Sequence, residues 1–235
     1  MAWRSSGGSH AELVKNLASN GVLSKQRAID AMMKVDRKHF CKLNPYFDSP
    51  QTIGWGQTIS APHMHAFAAE ALESRLLPGK RALDVGSGTG YVSAMFAEMV
   101  DVEGEGGGTV VGVECVKNLV DLSRENIRSH KASLLQHPNF QIHHTDGWKG
   151  WAEAGPYDAI HVGAAAQEIP KALVEQLAPG GMMVLPVGPA GGSQEMVEVT
   201  KDKEGNTKVR SLFGVMYVPL VKDPAGVSAG GGQLN

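Results

Sequence analysis

Three glycines at alternate positions follow a short apolar segment and could hold a nucleotide cofactor. Residues 81–85 end at Gly86, and Gly88 and Gly90 follow. Glycine allows a sharp turn and a close approach of backbone N–H groups to a ligand at the start of the next helix. Dinucleotide loops read G-x-G-x-x-G and bind a pyrophosphate, which Asp84 would repel. Here the spacing and the acid suit a ligand that carries an ammonium group, although a turn without any ligand is equally compatible with the glycines alone.

Two further acidic residues strengthen the cofactor interpretation. A second apolar run, residues 110–113, ends at Glu114. An acid about 20 residues past such a loop accepts hydrogen bonds from ribose hydroxyls, so Glu114 has a suitable position. Asp146 and Gly147 follow a third apolar-leaning segment and could meet the adenine edge. An Asp-Gly pair is often a plain turn, and taken alone the turn is the favoured interpretation.

The segment from residue 57 to 66 brings hydroxyl groups to the beginning of a helix. Pro62 suits the first helical position, and an apolar face follows it, so Thr58 to Ala61 lie at the N-terminal end. Free N–H groups, the helix dipole and the hydroxyls of Thr58 and Ser60 would together attract a carboxylate. The simpler interpretation is that Ser60 only caps the helix, and from the residues alone it is the favoured one.

The histidines do not indicate a metal site. His63 and His65 are two residues apart and therefore do not share a helical face, and no Cys or acid cluster accompanies them. We predict no metal. His161 falls inside a predicted strand and is interpreted as a hydrogen-bonded core histidine rather than a base.

Strand-like and helix-like segments alternate from residue 81 onward. This alternation predicts a parallel sheet with helices on both faces. Two late apolar-alternating runs, separated by a polar turn at 201–206, predict an antiparallel hairpin at the sheet edge. The predicted strands are 81–85, 109–114, 140–144, 157–162, 182–187, 194–200 and 208–220. The fold class is therefore α/β, with a doubly wound, mostly parallel, seven-stranded Rossmann-like sheet.

Extra helices are predicted before this sheet. Ser9 and Glu12 match a capping box that begins the first helix, and Asn20-Gly21 ends it. Ser24 is predicted to cap a second helix.

Composition fits one globular domain. The 235 residues are 42% hydrophobic and 20% charged, with a net charge of −2. We predict a single domain over 1–223, with N-terminal helices and loop in 1–79 and the sheet core in 80–223. Segment 224–235 has too little apolar mass to pack and is predicted to be disordered.

Charge and targeting signals limit the kinds of partner and the cellular location that we expect. Near neutrality without a Lys/Arg cluster argues against a nucleic-acid or membrane-surface partner. The two cysteines form no spaced pair, and no secretory leader or membrane-length apolar run is present. We predict a monomer in the cytoplasm (cytosol).

The combined motifs resemble the class I S-adenosylmethionine-dependent methyltransferases. More narrowly, the chain is similar to the eukaryotic type of the protein-L-isoaspartate (D-aspartate) O-methyltransferase family from its first residue to about Val221. The Thr-Ile-Ser-Ala-Pro-His-Met segment is specific to this family. The residues that carry the resemblance are 83–91, Glu114, 146–147, 157–164 and 177–181 for the class, and 1–5, 44–46, 57–65 and 215–220 for the family.

The resemblance implies a repair enzyme. Such an enzyme methylates the free α-carboxylate of L-isoaspartyl and D-aspartyl residues in damaged proteins and peptides, and the ester then converts spontaneously to a succinimide. The cofactor would be S-adenosyl-L-methionine and the product S-adenosyl-L-homocysteine. Ser60 would be the catalytic residue, and the substrate would contact Thr58, Ile59, Ser60 and Ala61. The cofactor residues would be Thr58, Ile59, Ser60, His65, Asp84, Val85, Gly86, Gly88, Glu114, Asp146 and Gly147.

The chain departs from the family pattern at two places. Val221 follows Pro219-Leu220 where the family commonly has Thr, and the connection 101–108 is longer and richer in glycine than usual. The family also implies that the last two strands are exchanged relative to the usual methyltransferase order.

The chemistry makes modest demands. A carboxylate is ionised at neutral pH, so it needs positioning against the methyl donor rather than a general base. Three alternatives remain: a nicotinamide-dependent oxidoreductase, a small-molecule carboxyl methyltransferase, and a cofactor-binding module without activity. The absence of the G-x-x-G half of the dinucleotide pattern from this chain counts against the oxidoreductase.

Overall fold

A computed structural model describes residues 5–221 of the chain. Three predicted parts lie outside this range: residues 1–4 of the family match, residues 222–223 of the predicted domain and the predicted disordered segment 224–235. Within it, no helix combines the length and apolar character needed to cross a bilayer.

The chain begins with two helices that pack against each other. Helix α1 spans His10–Ser19, and the Ser9 hydroxyl accepts the Glu12 N–H at 3.2 Å, as predicted. The Glu12 carboxylate accepts the Gly8 N–H at 2.8 Å rather than that of Ser9, so the predicted capping box is shifted by one residue. The buried side of α1 is formed by His10, Leu13, Val14 and Leu17.

The second helix is capped from another element. Helix α2 spans Gln26–Lys34, and Lys25 rather than Ser24 occupies its N-cap position without a side-chain cap. The Glu70 carboxylate accepts the N–H groups of Ser24 and Lys25, each at 3.1 Å, and the Ser24 hydroxyl. The predicted Ser24 cap is therefore wrong. An acid 45 residues away satisfies these donors, which no local pattern could indicate.

A small hairpin and a third helix precede the main sheet. Strands β1 (Gln51–Gly54) and β2 (Gln57–Ile59) pair antiparallel. Helix α3 follows at Pro62–Leu72, with Pro62 in its first turn as predicted. The hairpin therefore leads directly into the N-terminus of α3, where the predicted hydroxyl groups lie.

The main sheet has seven strands in the order β5-β4-β3-β6-β7-β8-β9. Strands β3 to β7 run parallel, and β8 and β9 add antiparallel neighbours, which confirms the predicted fold class. The order also agrees with the implied exchange, because β8 lies between β7 and β9. The strands are β3 Arg81–Val85, β4 Thr109–Glu114, β5 Phe140–His144, β6 Tyr157–Val162, β7 Leu177–Val187, β8 Gln194–Lys201 and β9 Thr207–Val215.

Two strand boundaries differ from prediction. Strand β7 begins at Leu177 rather than Met182, because Leu177 already pairs with Tyr157 of β6, before a shift in the register. The predicted last strand, 208–220, ends at Val215. Residues 216–220 instead cross toward β6, where Ala165 donates to the Val218 carbonyl and accepts from the Leu220 N–H, both at 2.8 Å. The crossing segment, as we call residues 216–220, lies at the carboxyl edge of the parallel strands.

Helices flank the sheet on both faces. They are α4 (Tyr91–Met99), α5 (Lys117–Lys131) and the short α6 (Lys171–Gln176). Adjacent residues of β3 belong to different apolar cores, since Ala82 packs with the N-terminal helices and Leu83 packs on the opposite face. This alternation along a strand that is buried from Ala82 to Val85 leaves the carboxyl end of the strand for polar chemistry.

Candidate active site

The glycine loop takes the conformation that its sequence predicts. Gly86, Gly88 and Gly90 have φ values of 71°, 52° and 85°. Gly90 stands directly before α4, and a Cβ there would lie 3.0 Å from the Ile127 side chain and 3.2 Å from that of Ser123. Positive φ and this close packing both require glycine. The loop borders a small buried cavity, which we call the loop cavity.

Glu114 fastens this loop to the end of β4. Its carboxylate accepts the Gly88 N–H and the Val116 N–H, each at 2.9 Å. Burial raises the pKa of Glu114, while the two N–H donors act in the opposite direction. Glu114 also borders a second small cavity with Cys115 and Val221, the residue that departs from the family pattern. The predicted ribose residue therefore lies beside the loop.

Asp84 is buried beneath the loop cavity. One oxygen lies 2.9 Å from His161 Nδ1, and the other accepts the Ser93 hydroxyl at 2.6 Å. His161 is thus a hydrogen-bonded core histidine, as predicted, although it also lines the loop cavity. The two partners fix the Asp84 carboxylate at the end of β3, next to the glycine loop.

Asp146 and Gly147 form a turn at the end of β5. Asp146 accepts the Trp148 N–H at 2.9 Å and starts a 3₁₀ helix over Gly147–Lys149. A Cβ on Gly147 would lie 2.9 Å from Val85 Cγ1 and 3.0 Å from Leu220 Cδ1. This geometry matches the turn interpretation, and neither residue lines the loop cavity or the cavity beside Glu114.

Ser60 does not cap α3, so the favoured simple interpretation was wrong. Ala61 is the N-cap residue, and the Asp48 carboxylate rather than Ser60 accepts a first-turn N–H, that of His63, at 2.9 Å. The Ser60 hydroxyl instead interacts with the phenol of Tyr217, in the crossing segment; burial raises the pKa of Tyr217 to about 12 despite this interaction. The hydroxyl is therefore presented to the space between α3 and the crossing segment.

Arg37 is a site residue that sequence reasoning missed. Its side chain is fully buried, and its guanidinium donates to the Ser60 carbonyl at 2.8 Å and contacts His65 Nδ1 at 2.9 Å. It also lies 5.4 Å from the centre of the Tyr91 ring. Arg37 belongs to a charged run, Asp36 to His39, that is typical of a solvent-facing surface, so the sequence carried no signal for it.

Three buried hydroxyls in the loop cavity have no hydrogen-bond partner among the described residues. They belong to Ser87, Thr89 and Tyr91. Buried polar groups are nearly always hydrogen-bonded, because leaving them unpaired is costly. Their clustering beside the glycine loop is what a site for a polar small molecule requires.

A wide cleft joins the loop cavity at Thr58 and Ser60. Its volume is about 700 Å³, and the crossing segment with the end of β9 forms one wall. Thr58 and Ser60 line both the cleft and the loop cavity, and Ala61 lines the cleft. A group bound in the cleft could therefore reach a group bound under the glycine loop at these residues.

Comparisons with known proteins agree on one family. The model of the protein-L-isoaspartate(D-aspartate) O-methyltransferase (PCMT) family matches residues 8–225. A protein-L-isoaspartate O-methyltransferase of Caenorhabditis elegans is 48% identical over 94% of this chain and 96% of its own length. One of Triticum aestivum is 48% identical over 91% of each chain.

A solved structure resembles the whole fold. It is described as a beta-aspartate methyltransferase (PCMT) from Plasmodium falciparum in complex with S-adenosyl-L-homocysteine. It is 39% identical, covers 92% of this chain and 100% of its own, and has a TM-score of 0.86.

The buried His65 predicts a pH-dependent stability. Burial, followed by the neighbouring Arg37, holds the pKa of His65 well below its usual value. In the unfolded chain this histidine binds a proton near pH ~6.5, whereas in the folded protein it stays neutral at that pH. The free energy of unfolding should therefore fall as pH decreases below that value. In His65→Asn, an amide oxygen can still accept from Arg37 but does not titrate. Urea unfolding at about pH 7.5 and 5.5 should show a loss smaller by about 1 kcal/mol in this variant.

The pKa values of His10, His130 and His143 are also lowered, chiefly by desolvation. Their contributions to the pH dependence are the same in both proteins and cancel in this comparison. Equal losses in the wild type and in His65→Asn would show that His65 does not contribute.

Proposed function

This chain belongs to the protein-L-isoaspartate (D-aspartate) O-methyltransferase family, and we propose that it methylates the free α-carboxylate of L-isoaspartyl and D-aspartyl residues in damaged proteins and peptides. The methyl donor is S-adenosyl-L-methionine, in keeping with the S-adenosyl-L-homocysteine complex of the structural relative. The observation that carries the proposal is the junction at Ser60, where the loop cavity opens into a cleft wide enough for a peptide.

The residues around the loop fit the donor. Its chemistry is a sulfonium methyl group next to an amino acid portion and a nucleoside. The buried hydroxyls without partners offer hydrogen bonds, and Asp84 offers a negative charge for the ammonium group. Glu114 would accept the ribose hydroxyls with its remaining lone pairs. Contacts of Asp146 and Gly147 with the adenine remain a prediction, because the turn that these residues form lies outside the loop cavity.

The remaining proposed cofactor contacts come from the segment that also faces the cleft. Thr58, Ile59, Ser60 and His65 all line the loop cavity. The Arg37 contact leaves His65 with its ring proton on Nε2, because Nδ1 accepts from the guanidinium. His65 would therefore offer a hydrogen-bond donor. Val85 packs beneath the loop and would act only through shape.

Methyl transfer requires that this chain position an ionised carboxylate. The Ser60 hydroxyl, at the positive end of α3, would bind one carboxylate oxygen and leave the other to attack the methyl carbon. The N–H groups of the first turn are not free for this role, because His63 donates to Asp48 and because Met64 and His65 donate to the Ala61 carbonyl. Arg37 places a buried positive charge behind the same segment and holds the Ser60 carbonyl. Ile59 and Ala61 are buried and would exclude water. The product ester leaves the site and closes to the succinimide without the protein.

The family match separates this function from its alternatives. A small-molecule carboxyl methyltransferase would share the cofactor motifs but not the match over residues 8–225. A nicotinamide oxidoreductase would have to bind a pyrophosphate beside the Asp84 charge. A module without activity would have no use for a Ser60 hydroxyl placed where the loop cavity meets the cleft. We also propose that the protein acts as a monomer in the cytosol without a nucleic-acid partner, as its composition predicts.

Methyl transfer to matched peptides tests the function. Labelled S-adenosylmethionine should give base-labile volatile label with an isoaspartyl peptide and none with the same peptide carrying ordinary aspartate. Label in neither peptide would contradict the proposal, and label in both would contradict the assigned selectivity.

Ser60→Ala should lower turnover without loss of the cofactor. Removing one hydrogen bond to a charged group costs about 1.5 to 3 kcal/mol, so we expect kcat to fall about 10- to 100-fold. Affinity for S-adenosylmethionine, measured by calorimetry, should stay within about twofold, because the substitution keeps the Ser60 backbone and leaves all other proposed cofactor residues in place. Ser193→Ala, in an exposed turn, is the matched control. Full activity of Ser60→Ala would remove Ser60 from the mechanism.

Glu114→Ala should weaken cofactor binding. The loss of the ribose contact and of the Gly88 anchor should raise the Kd about 10- to 100-fold in calorimetry. Glu114→Gln keeps one acceptor oxygen and should lose less. The exposed Glu125→Gln in α5 serves as control. A Kd that does not change in Glu114→Ala would rule out the ribose role.

A further inference from the structure

A second polar pair lies at the cleft, outside the proposed carboxylate and cofactor contacts. The Asp48 carboxylate accepts the His63 backbone N–H at 2.9 Å and lies 2.8 Å from His63 Nδ1. The side chain of Asp48 is fully buried, whereas that of His63 is 23% exposed. The pair therefore has one buried end, at Asp48, and one open end, at the imidazole.

The open end of the pair, the His63 imidazole, faces the cleft. His63 lines that cleft together with Ser60 and Met64. Nδ1 is turned toward the buried Asp48, so the opposite ring edge, with Nε2, is the one left to the cleft. Among the described residues no hydrogen-bond partner of Nε2 is present.

Few other polar groups are available there. Apart from His63, the polar side chains that line the cleft belong to Thr58, Ser60 and Tyr217. Thr58 and Ser60 lie at the junction, and the Tyr217 phenol interacts with Ser60. The rest of the lining is apolar or glycine. In such pockets a small number of placed polar groups fix the orientation of the ligand.

We propose that His63, oriented by Asp48, is a substrate-binding residue whose Nε2 accepts a hydrogen bond from a backbone N–H of the isoaspartyl peptide. This inference rests on the proposed function. Because the Asp48 carboxylate accepts from Nδ1, the neutral ring carries its proton there and presents a lone pair at Nε2. A backbone N–H is a donor that peptides offer whatever their side chains, which suits an enzyme for damage in many sequence contexts.

The buried end supports an orienting role for Asp48. Its second oxygen, Oδ2, is buried without a partner among the described residues, so His63 supplies both donors that this carboxylate has. A buried carboxylate with so few donors would be costly if its role were only to fill space. It instead fixes the ring in one position and one tautomer, as carboxylates do for functional histidines.

His63→Asn separates the two ends of the pair. The Asn amide nitrogen can occupy the position of Nδ1 and still donate to Asp48, but no atom replaces Nε2. We expect the KM for an isoaspartyl peptide to rise about 3- to 10-fold, with kcat and the Kd of S-adenosylmethionine unchanged within about twofold. His137→Asn, in a turn far along the chain, is the matched control. A role limited to holding Asp48 would leave the KM unchanged, and that result overturns the inference.

Substrate analogues test the same contact in the wild-type protein. Isoaspartyl peptides are methylated on one backbone nitrogen at a time, which removes one N–H from each. One position should raise the KM for the wild type and cause no further rise with His63→Asn. If every analogue raises the KM of both proteins equally, or none raises it, the inference fails. If the unmodified peptide is not a substrate of the wild type, the proposed function itself fails.

Discussion

The active site depends on a positive charge that the protein keeps away from water. Arg37 is fully buried, and an isolated guanidinium in such a place would be very unfavourable. Its donors are therefore directed at the Ser60 carbonyl and His65, and its plane lies near the Tyr91 ring. These contacts join the N-terminal region, the start of α3 and the start of α4. The segment that carries Ser60 is fixed from behind, while Ser60 itself lines the junction of the loop cavity and the cleft.

The parts of the site that follow a local pattern could be predicted from the sequence. Positive φ at Gly86, Gly88 and Gly90, the acid at the end of β4 and the helix beginning at Pro62 are consequences of residue type and spacing over a few positions. The sheet and its parallel order follow from alternating segments in the same way. Family resemblance added the identity of the donor and of the substrate, which spacing alone left open.

The parts that depend on contacts between distant segments could not be predicted. Arg37 looks like a surface charge until the fold buries it, and Glu70 caps a helix far from it in sequence. Ser60 has a residue type typical of a cap, yet the crossing segment supplies Tyr217 as its partner. The end of β9 was misplaced because residues 216–220 keep the alternating pattern of a strand while they leave the sheet edge. Pattern describes what a segment can form, whereas its partners decide what it does form.

The crossing segment has a consequence for synthesis of the protein. Ser60, the glycine loop and Glu114 all lie in the first half of the chain, but the wall opposite Ser60 comes from residues near the end of the described range. On the ribosome the parallel strands can pair before β9 and the crossing segment have emerged, because chains fold from the N-terminus as they are made. A nascent chain could then contain the whole glycine loop and still lack the wall of its cleft. Competence to hold a peptide is therefore acquired only after the crossing segment has been made.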